Sequence, residues 1–160
     1  MPRLWSQIAG ALGLLTLAVL ILNAGVFWIL MEQNSVKRNS DLAWSIGGAM
    51  EAQLGAAVRS GADEAALVES VQALDRTDLD LDTLILVRPD LKPIANFRGD
   101  PPKTTDAGLR AALLGKEAHM YVDGPFMGAR RVVVTVPIAG AGKVVAALRI
   151  ALPLEGPKVP

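Results

Sequence analysis

A chain of 160 residues has room for one domain and an anchor. Its 16 basic and 16 acidic side chains cancel, so it lacks the positive field of a nucleic-acid binder, and no nucleic-acid partner is expected. It has no cysteine and one histidine, His119. This excludes disulfides, thiolate nucleophiles, cysteine metal ligands and any two-histidine metal site within one chain.

The charges are unevenly placed. Arg3 is the only one in the first 31 residues, so residues 32–160 hold 15 basic and 16 acidic side chains. Ile8 to Met31 is a run of 24 residues with no charge, and about 20 apolar residues suffice to cross a bilayer. Trp5 and the pair Phe27-Trp28 flank it as interfacial aromatics do. A cleaved signal peptide has a shorter apolar region and a small-x-small site. Leu22-Asn23-Ala24 puts Leu where the first small residue belongs. Residues 1–32 are therefore expected to be a transmembrane anchor. Arg3 on one flank and Lys37 and Arg38 on the other leave the orientation open by charge.

Residues 33–61 read as an exit helix suited to dimerisation. Val36, Ala43, Ile46, Met50, Leu54 and Ala57 recur mostly at intervals of three or four. Gly47, Gly48 and Gly55 each weaken it by about 1 kcal/mol relative to Ala and permit close packing. Ser60-Gly61 ends it. A shorter helix follows over 63–75, with Asp63 as N-cap and Leu67, Val71 and Leu74 as its apolar face.

The pattern then changes to strands. Leu84–Val87 is a buried strand, Arg88–Leu91 a turn, and Ile94–Phe97 the return, with Pro93 at an edge or start. A loop over 99–103 leads to a helix over 107–114, capped by Thr104 or Thr105 and ended by Gly115. Three strands complete the pattern: 118–122, 130–137 and 143–151. The last two are joined through Ile138–Gly142. Strands with short links pair antiparallel. The expected fold is α+β: a transmembrane helix continuing into a long helix, then a five-stranded antiparallel sheet with helices on one face. The domain spans 62–152, and 153–160 is a Pro-rich tail.

The anchor with its exit helix, the hairpin Leu84-Ile85-Leu86-Val87-Arg88-Pro89-Asp90-Leu91-Lys92-Pro93-Ile94-Ala95, and the closing hairpin from Arg130-Arg131-Val132-Val133-Val134-Thr135-Val136-Pro137-Ile138 to Gly142–Ile150 resemble the N-terminal half of bacterial sensor histidine kinases and related receptors. Such receptors carry an extracytoplasmic PAS-like (Cache) sensor domain. The resemblance implies a single-pass protein of the bacterial inner membrane with its domain on the extracytoplasmic side. It also implies a homodimer through the exit helix, and signalling by helix movement in response to a small ligand or the state of the envelope. Pro137 is expected at the turn of the closing hairpin. The sequence reaches Pro160 with no second span, no phosphoacceptor segment and no nucleotide-binding box, so the chain is expected to be a sensing portion and not itself an enzyme. The competing expectation is a structural single-span component of an envelope or secretion assembly.

No cofactor is expected, and no residue is assigned a catalytic role. Asp78-Leu79-Asp80-Leu81-Asp82 resembles a calcium loop only superficially, lacking its Gly and distal Glu. It is read as the solvated lead-in to a strand. The candidate ligand-binding set is His119, Tyr121, Arg131, Thr135 and Arg149. Period two puts His119 with Tyr121 and Arg131 with Thr135, and Arg149 lies within the last strand. In PAS-like sensors one sheet face holds the ligand, so this set would receive a small carboxylate, with Arg supplying paired hydrogen bonds.

Overall fold

The computed structural model describes residues 2–100, 106–124 and 130–154. Eight elements occur in chain order: α1 (Pro2–Arg59), α2 (Glu64–Asp75), β1 (Thr83–Val87), β2 (Pro93–Arg98), α3 (Ala107–Gly115), β3 (His119–Asp123), β4 (Arg130–Gly140) and β5 (Lys143–Leu154). The α+β class and the antiparallel pairing are as expected.

α1 is one unbroken helix of 58 residues, about 87 Å long at 1.5 Å per residue. Its N-terminal half is long and apolar enough to cross a membrane and packs against nothing in the fold. Its C-terminal half buries Ala43, Gly47, Met50, Leu54 and Gly55. The stripe thus includes two of the glycines, and at Gly47 the sheet comes too close for a side chain. A Cβ on Gly47 would stand 2.9 Å from Val134 Cγ1. α1 stops where Gly61 turns left-handed, at φ 88°. Gly61 N–H then bonds Val58 O and Ala62 N–H bonds Ala57 O, which satisfies the last carbonyls of the helix. Asp63 caps α2 by accepting from Ala66 N–H at 3.0 Å.

The five strands lie in the order β2-β1-β5-β4-β3, all neighbours antiparallel. Alternation divides the sheet residues between two cores. Leu84, Leu86, Val132, Val134, Val136, Leu148 and Ile150 face α1 and α2. Ile85, Val87 and Ala147 face the other way and meet Leu109 and Ala112 of α3. The short α3 therefore departs from the arrangement with every helix on one face. Its two buried apolar residues cover sheet positions that α1 and α2 leave open.

Several boundaries move. β4 runs on to Gly140 and turns through Ala141 and Gly142, with φ of 52° and 80°, a two-residue hairpin turn with positive φ at both central positions. Pro137 consequently lies inside β4, paired with Ala147, and not at the turn. β5 continues to Leu154 and buries Leu152. The start of the expected tail is thus strand, because Pro153 and Leu154 pair with β4 and Leu154 packs against the core facing α1. Asp106 caps α3 in place of Thr104 or Thr105, which lie outside the described residues, as does 155–160 of the tail. Lys116, at φ 57°, provides the left-handed C-cap expected of Gly115.

Candidate functional site

β5 is the central strand of the sheet and presents Arg149 on the α3 side. The register aligns Arg149 with Thr135 of β4, and Thr135 with His119 of β3. The three side chains form one row across three strands. Two residues further along β3, Tyr121 stands beside His119 with ring centroids 5.7 Å apart. All five candidate residues share this face by alternation.

The row is already organised by an internal carboxylate. Arg149 is buried, with 6% of its surface exposed, and its Nη1 and Nη2 each donate to Asp106 at 2.5 Å. Its Nε donates to the Thr135 hydroxyl at 3.1 Å. Asp106 Oδ1 also accepts from Leu109 N–H at 3.0 Å as the cap of α3. The Arg149 hydrogen bonds hold the Asp106 carboxyl below the usual range, against the opposing effect of burial and with help from the backbone amides. A buried arginine needs such a partner, because an unpaired charge there is costly.

Gly108 allows the approach. A Cβ at that position would lie 3.1 Å from His119 Nδ1 and 3.3 Å from Arg149 Nη2. The first turn of α3 thus rests directly on the row. His119 Nδ1 is buried and has no hydrogen-bond partner among the described residues. Burial raises the Tyr121 phenol above its ordinary value, an effect only partly offset by the charge of Arg149.

Arg131 belongs to a separate group. It lies four residues from Thr135 along β4, about 13 Å at strand rise. Its guanidinium is held by Asp123 at 3.1 Å and Asp82 at 3.0 Å, with Thr83 Oγ1 at 3.3 Å. Burial works against its charge, but the hydrogen bonds to the two carboxylates outweigh it and raise its pKa. The set of five therefore divides: His119, Tyr121, Thr135 and Arg149 cluster under α3, and Arg131 forms a two-carboxylate clasp near the strand ends. Asp78, Asp80 and Asp82 are all exposed. No cluster with metal-ligating chemistry occurs among the described residues.

Sequence reasoning missed Asp106 and Gly108. Asp106 immediately precedes the first helical residue, Ala107. That position and its residue type were the available signal for the cap, though nothing local showed that the same carboxylate reaches β5.

No family model matches the sequence, and no curated protein matches it. Among solved structures, the chain is similar to one described as a sensory box sensor histidine kinase from Vibrio cholerae. The TM-score is 0.34 at 14% identity, covering 55% of this chain and 94% of that one. This is a partial likeness of arrangement and says nothing of what the chain binds.

Proposed function

We propose that the chain is the membrane-anchored, extracytoplasmic sensor module of a signal-transduction receptor of the histidine kinase type. It catalyses no step itself. The observation that carries this reading is the continuity of α1: one helix contains the apolar span and, further on, the face on which the sheet packs. Near the span, Glu32 of α1 pairs with Arg130 of β4, and Asn39 Nδ2 donates to Pro153 O of β5 at 3.1 Å. A displacement of β5 or β4 is therefore transmitted to the helix close to the membrane.

β5 links input to output. Arg149 points to the α3 side, and its neighbours Leu148 and Ile150 pack in the core shared with α1. A small carboxylate entering under α3 would engage His119 and Arg149 and compete with Asp106. Any such competition shifts the population of α3 positions only by the ligand's differential affinity for them. A homodimer would form through the outer side of the exit helix, where Ser45, Gly48, Ala49 and Ala52 are exposed.

The chain's lack of cysteine makes it a clean background for single-cysteine probes. The test uses the full chain reconstituted in lipid. An Ala52→Cys variant should cross-link as a dimer, and Ser60→Cys should react with an impermeant maleimide from the outer side. A panel of short mono- and dicarboxylates should contain one that raises the melting temperature, and His119→Ala should abolish that rise. Absence of cross-linking, together with no carboxylate response, would sink this reading.

A further inference from the structure

Where α1 leaves its charge-free stretch it forms a cleft with the first residue of β4. The cleft measures about 410 Å³ and is lined by Ile29, Glu32, Gln33, Val36, Lys37 and Arg130. The helical members recur at intervals of three and four and so share one face. The charge-free run ends at Met31, and the cleft straddles that boundary.

Its lining is amphipathic. Ile29 and Val36 supply the apolar part. On the polar part, Arg130 pairs with Glu32, and Arg130 Nε is buried without a hydrogen-bond partner among the described residues. Lys37 is exposed and makes no ion pair among the described residues. Two cations face one carboxylate, leaving one positive charge in excess.

We infer that this cleft binds the headgroup of an anionic phospholipid, a site that rests on the reading of α1 as a membrane span. A phosphate takes charge-assisted hydrogen bonds from a guanidinium, and an ammonium attracts it as a point charge. Glu32 holds Arg130 in place beforehand, which lowers the ordering cost of binding. The apolar flank distinguishes a lipid from a free anion, because Ile29 lies on the helix toward the hydrocarbon, where an acyl chain would run. A lipid held there touches α1 and β4 together, so membrane composition becomes an input to the same joint that carries the signal.

The full chain is reconstituted in vesicles of equal parts phosphatidylcholine and phosphatidylglycerol, then extracted in mild detergent. Its retained lipid is measured by native mass spectrometry. Wild type should retain phosphatidylglycerol over phosphatidylcholine. Lys37→Gln lies on an exposed helical surface, so it should fold normally and reduce that preference about fivefold, equivalent to roughly 1 kcal/mol for a basic side chain at a membrane surface. Glu32→Gln keeps an amide oxygen that can accept from Arg130 and so preserve its placement, but removes the opposing charge, and should increase that preference. Equal retention of the two lipids by wild type, or an unchanged preference in Lys37→Gln, overturns the site. Displacement of the bound phosphatidylglycerol by inorganic phosphate at equal concentration overturns the lipid as occupant. Alkaline carbonate extraction separates the two readings. A chain released from these vesicles refutes the span and the site together, whereas one retained in them without lipid preference refutes the site alone.

Discussion

The Arg149 guanidinium grips the Asp106 carboxylate through two bonds of 2.5 Å, fixing the start of α3 to the middle of the central strand. Asp106 does two jobs, since it also caps α3. Asp106→Asn separates them, because Asn caps a helix as well as Asp does. Loss of the charge leaves a buried arginine unpaired, which costs about 3–5 kcal/mol in general. The remaining amide oxygen still accepts one bond, so the lower end of that range is expected in urea unfolding. Asp106→Ala should lose about 1 kcal/mol more with the cap. The double variant Asp106→Leu with Arg149→Met should be more stable than either single charge deletion, because no unpaired charge is left.

The same pair sets an acid dependence. Arg149 holds the Asp106 carboxyl below its ordinary value in the folded chain, while an unfolded Asp titrates near about 3.9. The pair's contribution is thus fully present above that value and is lost as pH falls through the lower, folded one. Wild type should lose melting temperature below about pH 4 more steeply than Asp106→Asn. Glu64 is also lowered, by its hydrogen bond to Arg88, but both groups are exposed at the surface and solvent screening leaves them little weight. Equal slopes for wild type and Asp106→Asn would remove Asp106 as the source of the acid sensitivity.

The strands were legible because Leu84–Val87 and Arg130–Ile138 combine β-branched and apolar residues between turn residues. The row of His119, Thr135 and Arg149 was legible in part, since period two fixes the face of each residue within its own strand. Register was not legible. Whether Arg131 or Thr135 stands beside Arg149 depends on where the β4–β5 turn closes, and Ala141-Gly142 closes it later than the run Ile138–Gly142 suggested. The side taken by α3 was equally hidden. Nothing in the sequence near Leu109 and Ala112 shows that they cover Ile85, Val87 and Ala147, or that the Asp106–Arg149 pair, made across 43 residues of sequence, holds α3 on that side.

Adjacent glycines in α1 should respond oppositely to alanine. At Gly48 a Cβ meets nothing within 4 Å, so Gly48→Ala should stabilise the chain by up to about 1 kcal/mol through helix propensity. At Gly47 the Cβ would meet Val134 Cγ1 at 2.9 Å and Val136 Cγ1 at 3.2 Å. Both valines are buried and stiff at χ1. Overpacking of this kind costs about 1–3 kcal/mol, which exceeds the propensity gain. Thermal denaturation of the two variants should bracket wild type. A stabilised Gly47→Ala would show that α1 can lift off β4 without loss.

Thr135 is buried with no exposed surface, and its hydroxyl accepts the Nε–H of Arg149 at 3.1 Å. Thr135→Val preserves the shape and removes the acceptor. Arg149 Nε would then be a buried donor without a partner, at a cost of about 1–3 kcal/mol. Thr135→Ser keeps the hydroxyl but removes a methyl group, so it reports the packing loss alone. The two substitutions therefore weigh the hydrogen bond against the contact. Combining Thr135→Val with Arg149→Met closes a double-mutant cycle: with no guanidinium to satisfy, the valine should cost far less than it does beside arginine. If Thr135→Val is equally costly in both backgrounds, the hydroxyl does not hold Arg149, and the row is a product of strand register alone.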